Sequence, residues 1–347
     1  MFFLWLLLAV LTAAVAVQEP VPHFGPFCGT RAAVYDNGTR ATNWAEYIAE
    51  YELKSGLSGQ GAVDAWEAEG GPIPWPRMGA HGVVIPYCFT QAKDRRNVRN
   101  VVENAMAKWI QYLGGPAGRE SGHAIRFKER KDAHEKPMYC APTNYRDGWN
   151  ACLDKDTVAI EYTEGKGWGG SVGLKRNGKP WQNLVHIADG YTLLGAMHEL
   201  GHVLGLVHEH DRSDRDTYIR FQYTKLADWD ACWARARSAE GDRITPDGLC
   251  KSMYRALAYD CTCATFIKNF VEPGWPIKPR SGYDLNSIMH YPSQNGYAKQ
   301  ACNERGEDCA LKVWVDWNNH GFGTTLLNQA RRPSEMDLLW VKTTYPF

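Results

Sequence analysis

The run His198-Glu199-Leu200-Gly201-His202-Val203-Leu204-Gly205-Leu206-Val207-His208 brings three imidazoles and a carboxylate together at spacings that suit a metal ion. Residues four apart share one face of an α-helix, so His198 and His202 can grip one ion between them. Glu199 stands beside them, within reach of a water on that ion. Gly205 can take a backbone conformation that a Cβ resists, so the helix can end there. The chain then turns, and His208 can return as a third ligand. Three protein ligands leave one position open on zinc, which suits catalysis rather than structural support. A plain amphipathic helix is the competing reading, since Leu193, Leu194, Met197, Leu200, Val203 and Leu204 form an apolar face. Gly205 and His208 have no place in that alternative.

The extended pattern H-E-x-x-H-x-x-G-x-x-H is the metzincin signature, which calls for a Met-turn downstream. Tyr283-Asp284-Leu285-Asn286-Ser287-Ile288-Met289-His290-Tyr291 supplies one. Met289, soft and adaptable, suits the floor beneath a metal site. The stretch His198 to Tyr218, with Glu209, Arg212, Asp214, Arg215 and Asp216, resembles the zinc-helix signature of the astacins, zinc endopeptidases among the metzincins. Ile85-Pro86-Tyr87-Cys88-Phe89 resembles the strand that opens their catalytic domain, and Pro333 to Tyr345 their closing helix. The resemblance implies His198, His202 and His208 as ligands of one Zn2+ and Glu199 as general base and later general acid. It implies Tyr291 as a displaceable ligand that swings to the reaction centre, and Glu209 as a carboxylate tying the mature amino terminus into the domain. The charges from Arg212 to Asp216 read as structural. Protein or peptide substrates follow from the same likeness.

Two other classes compete: a zinc-stabilised peptide binder, and a disulfide-held structural protein with packing histidines. Glu199 argues against the binder, which needs no base at that place. Metal analysis separates the structural protein from both zinc readings.

Residues 1–17 read as a signal peptide, with the apolar run Phe2 to Leu11 and the small-residue pattern Ala14-Val15-Ala16. That run is shorter than the ~20 residues a membrane span needs. A signal anchor is the alternative. Residues 18–74 are expected to form a propeptide with one helix-like stretch, Asn43 to Leu53, and residues 75–347 the catalytic domain. The resemblance implies a propeptide aspartate over the metal: Asp64 is nearest by position, Cys28 is a rival, and a solvated loop acid is the alternative for Asp64. A secreted, extracellular monomer without stable membrane association is expected.

Formal net charge is zero over 347 residues, and no basic run interleaved with aromatics occurs, so nucleic-acid binding has no electrostatic footprint. The ten cysteines fit an oxidising compartment. Cys140 with Cys152 and Cys302 with Cys309 are local candidate pairs, and Cys232, Cys250, Cys261 and Cys263 form a cluster. Cys28 and Cys88 are left over, open to pairing with each other. The positions where astacins typically carry cysteine hold none here, so another disulfide set must replace theirs. Asn37-Gly38-Thr39 is a glycosylation sequon.

The expected fold is α+β, a two-lobed metzincin-type domain. Its upper half holds a mixed sheet and two long helices, the first from Asn97 to Tyr112. Strands are expected at Thr157 to Tyr162 and Leu184 to Ile187. Trp168 to Gly173 resembles the family's edge strand, which pairs with an extended peptide. An irregular lower half holds His208 and the Met-turn.

Overall fold

The computed structural model describes residues 72–79, 82–142, 148–164, 167–268 and 282–347. The expected signal peptide, the expected propeptide up to residue 71, the Asn43 to Leu53 stretch, Asn37, Asp64 and Cys28 all lie outside the described residues.

The first lobe is a sheet covered by two helices. Its strands are β1 (Val83–Phe89), β2 (Ile125–Glu129), β3 (Val158–Thr163), β4 (Gly169–Gly170) and β5 (Leu184–Ala188), in spatial order β2-β1-β3-β5-β4. All neighbours run parallel except β4, which is antiparallel to β5. Helix α1 (Ala92–Tyr112) starts before the expected Asn97. Its charged first turn has no apolar periodicity, but the Asp94 carboxylate accepts the Gln91 N–H at 2.9 Å and closes that end. Val98, Val102, Ala105 and Trp109 face the core as expected. They pack with Ile85, Ile125, Ile160 and Val185 of the sheet and with Leu200, Val203 and Leu204 of helix α2 (Leu193–Leu204).

A second core belongs to the irregular lobe. It gathers Ile219, Leu226, Trp229, Phe266, Tyr291, Tyr297 and Leu311. Around it lie β6 (Ile219–Phe221), β7 (Leu311–Trp314) and β8 (Thr324–Thr325), with helices α3 (Trp229–Glu240), α4 (Pro246–Cys250), α5 (Met253–Ala258) and α6 (Ala301–Glu304). Disulfides Cys232–Cys261 and Cys250–Cys263 staple the helical insertion, and Cys302–Cys309 closes a short loop. The last helix, α7 (Glu335–Thr344), returns to the first lobe and buries Leu338 and Val341 in its core.

Cys140 bonds to Cys88 rather than to Cys152, with Cα atoms 5.5 Å apart. The reason is a long-range pairing: Cys140 N–H donates to Phe89 O at 2.9 Å and Ala141 N–H to Thr90 O at 3.0 Å, laying this segment along the end of β1. Cys152 is left exposed with a free thiol. The Cys88 thiol is therefore not available for the alternative link to Cys28.

Candidate metal centre

Helix α2 carries the site, and its ends are held by identifiable groups. The Thr192 hydroxyl accepts the Gly195 N–H at 3.0 Å at the N-terminus. Gly205 ends the helix at φ 111°, the left-handed conformation. The last carbonyls find side-chain donors: Trp75 Nε1 to Val203 O at 2.8 Å, and Tyr345 Oη to Leu204 O at 2.7 Å. Residues 270 positions apart thus lock the same turn.

After Gly205 the backbone folds back, and His208 arrives opposite His198 and His202. Nε2 of His208 lies 3.2 Å from Nε2 of His198 and 3.2 Å from Nε2 of His202. A tetrahedral ion with bonds of about 2.0–2.1 Å needs nitrogen donors about 3.3 Å apart, so the three fit zinc. Each ring is aimed by its other nitrogen. Nδ1 of His198 faces Ile288 O at 2.7 Å, Nδ1 of His202 faces Leu206 O at 2.8 Å, and Nδ1 of His208 faces Asp211 Oδ2 at 3.3 Å. Burial pushes the His198 and His208 pKa values down to about 3, and that of His202 well below the ordinary range. Neutral imidazole is the ligating form.

Glu199 is fully buried, with its Oε2 against Gly170 of the edge strand. A Cβ on Gly170 would stand 2.6 Å from Glu199 O, so strand and helix approach as closely as glycine permits. Glu199, His198 and Tyr291 line one pocket with Leu194, Ile288 and Pro292. The Tyr291 ring lies 4.7 Å from that of His208 and 4.2 Å from that of His210. The structure thus brings together all five expected site residues.

The Met-turn is pinned by α7. Asp337 accepts from Ser287 Oγ at 2.7 Å, from Ile288 N at 2.9 Å and from Ser334 N at 2.9 Å. Because Ile288 O receives His198 Nδ1, one buried carboxylate fixes the peptide that aims a ligand. Glu209 accepts from Arg212 Nη1 at 3.0 Å and from Asp284 N at 2.8 Å. Burial raises its pKa to about 7, against the opposing pull of Arg212. Arg212 also clasps Asp214, while Arg215 Nη1 donates to His210 O at 2.6 Å. These charges are structural, as expected from the sequence.

Sequence reasoning missed His210, Asp211 and Asp337. His208, His210 and Asp211 also lie close enough to share an ion, but the first triad alone joins the pocket that holds Glu199. Asp211 had one available signal, its i,i+3 spacing from His208. Asp337 had none beyond its place in a capping box.

The Astacin peptidase family matches residues 150–231, which include α2 and the three histidines. Blastula protease 10 of Paracentrotus lividus is 28% identical over 144 residues, covering 41% of this chain and 19% of that protein. The astacin-like metalloendopeptidase of Coturnix japonica is 27% identical over 160 residues, covering 44% and 29%. The chain thus spans less than a third of the length of these curated relatives. Among solved structures, high choriolytic enzyme 1, a hatching enzyme zinc-protease from Oryzias latipes, aligns over 82% of this chain and 98% of its own, with TM-score 0.47 and 19% identity. The histidine triad, the turn that supports it and the match across α2 point the same way: over residues 150–231 the chain is similar to the astacin peptidases.

Proposed function

We propose that the protein is a secreted zinc-dependent endopeptidase that hydrolyses internal peptide bonds of proteins, with Glu199 as general base. The observation that carries this is the convergence of three imidazoles, with His208 Nε2 3.2 Å from Nε2 of both His198 and His202, beside the pocket that Glu199 and Tyr291 line. His198, His202 and His208 would hold the ion. Bound zinc supplies a water of pKa about 7 and polarises the scissile carbonyl. Glu199 takes the attacking water's proton and passes it to the leaving amine. Tyr291 donates a hydrogen bond to the developing oxyanion. The loss of such a donor at comparable sites costs about 2.7–4 kcal/mol. An extended substrate pairs with the sheet edge at Gly169–Gly170, which would place its carbonyl beside α2.

Export rests on the first 17 residues and agrees with four disulfides among the described residues. No helix of the described residues is long and apolar enough to cross a membrane. Residues 18–74 serve as a propeptide ahead of a monomeric catalytic domain that begins near Trp75. An uncleavable precursor should be much less active than a form beginning near Trp75, and equal rates would remove that role.

The direct test is sequencing of products from a mixed peptide library. Cleavage should stop on chelation and return with one equivalent of zinc. A protein that cuts after exhaustive chelation, or that takes up zinc and never cuts, overturns the proposal.

A further inference from the structure

Two of the three candidate ligands lean on neutral backbone carbonyls, while His208 leans on a carboxylate. Asp211 is 7% exposed and sits between two imidazoles, with Oδ2 3.3 Å from His208 Nδ1 and Oδ1 3.5 Å from His210 Nε2. A short 3-10 turn, Glu209–Asp211, makes this possible, because it turns the carboxylate back over the ring three residues earlier. Burial raises the Asp211 pKa well above the ordinary carboxylate range, and Arg215 opposes that rise while donating to His210 O. A carboxylate in this place serves no step of the proposed hydrolysis, since it faces the rear nitrogen of the ligand.

We infer that Asp211 is a positioning residue for the metal: it accepts the His208 Nδ1 proton, so that Nε2 keeps its lone pair for the ion. This rests on the proposed zinc site and deepens it. Of the three ligands, His208 is the one outside α2, so the helix does not set its ring direction. A carbonyl acceptor would fix the tautomer equally well, but a carboxylate also makes the ring a stronger donor. The residue farthest from regular structure therefore receives the strongest second partner.

The test measures zinc affinity by competition with a chromophoric chelator, on the full chain and on D211N and D211A. D211N keeps an oxygen that can accept the Nδ1 proton but drops the charge; D211A drops both. Loss of such partners typically weakens metal binding by about 10–100-fold. D211A is expected in that range and D211N between it and the wild type, with a faster zinc off-rate and an unchanged melting temperature of the metal-free protein for D211N. If D211A fails to fold, D211N alone carries the test. Affinities within twofold of the wild type overturn the inference. So does a second equivalent of zinc that only the wild type binds, which would make Asp211 a ligand. A wild type that holds no stoichiometric zinc is a different failure, because it removes the metal site itself.

Discussion

The Sδ atom of Met289 lies 2.5 Å from where a Cβ on Gly201 would stand. The Met-turn therefore presses directly onto α2 at the residue before His202. Met289 is 1% exposed, and Trp109 Cζ2 would stand 3.5 Å from the same Cβ, so the sulfur could shift only within a packed core. Gly201→Ala gains about 1 kcal/mol of helix propensity. Overpacking costs about 1–3 kcal/mol. With this clash near the upper end, net destabilisation is expected. Urea unfolding of the variant measures it, and a midpoint at or above the wild type would show that Met289 gives way freely. Combining the change with Met289→Ala should be less than additive, since both act on one contact.

Glu199→Gln should bind zinc and peptide normally while kcat falls by about 10²-fold or more, through loss of proton transfer. Tyr291→Phe should also hold zinc and lose about 10²–10³ in kcat, as an oxyanion donor would. Steady-state kinetics with elemental analysis of each variant decides. Near-normal turnover in either one withdraws its assigned role.

Acid should destabilise the metal-free protein. Burial lowers the pKa of His198 and His208 to about 3 and of His290 to about 4, and those of His202 and His210 well below the ordinary value. An unfolded histidine titrates near 6.5. Between there and about 4 the unfolded chain takes up protons that the folded one refuses, so stability falls as pH falls. The neutral-state advantage is complete above about 6.5 and exhausted below the folded pKa values. Each imidazole contributes about 1.4 kcal/mol per pH unit inside that window. Glu209, raised to about 7, and the buried Asp211 and Asp337, both raised, act in the opposite sense, but they are three groups against these five histidines. Urea midpoints at pH 7 and pH 5 in the presence of chelator test this; an unchanged or rising midpoint at pH 5 contradicts it.

Cys152 should be the reactive thiol of the described residues. Brief alkylation without denaturant, followed by peptide mapping, should label Cys152 and leave Cys88, Cys140, Cys232, Cys250, Cys261, Cys263, Cys302 and Cys309 unmodified. A label on Cys88 with Cys152 protected would restore the local Cys140–Cys152 pair.

The sequence by itself determined what depends on local spacing. The i,i+4 histidines, the apolar face of α2, the stop at Gly205 and the Met-turn string are set within a few residues, because helix periodicity and backbone sterics act over one or two turns. That was enough to single out the three histidines, Glu199 and Tyr291, which the structure gathers in one place. Tertiary structure decided what joins distant segments. Cys88 pairs with Cys140 because that segment lies along the end of β1, 52 residues away. Asp337 aims His198 through Ile288 only because α7 docks beneath the Met-turn. The fit of Gly201 to Met289 is a packing contact between distant stretches of chain, which no periodicity encodes. Asp211 lies between these cases: its spacing from His208 is local, yet only the fold-back after Gly205 gives that ring a metal site to face.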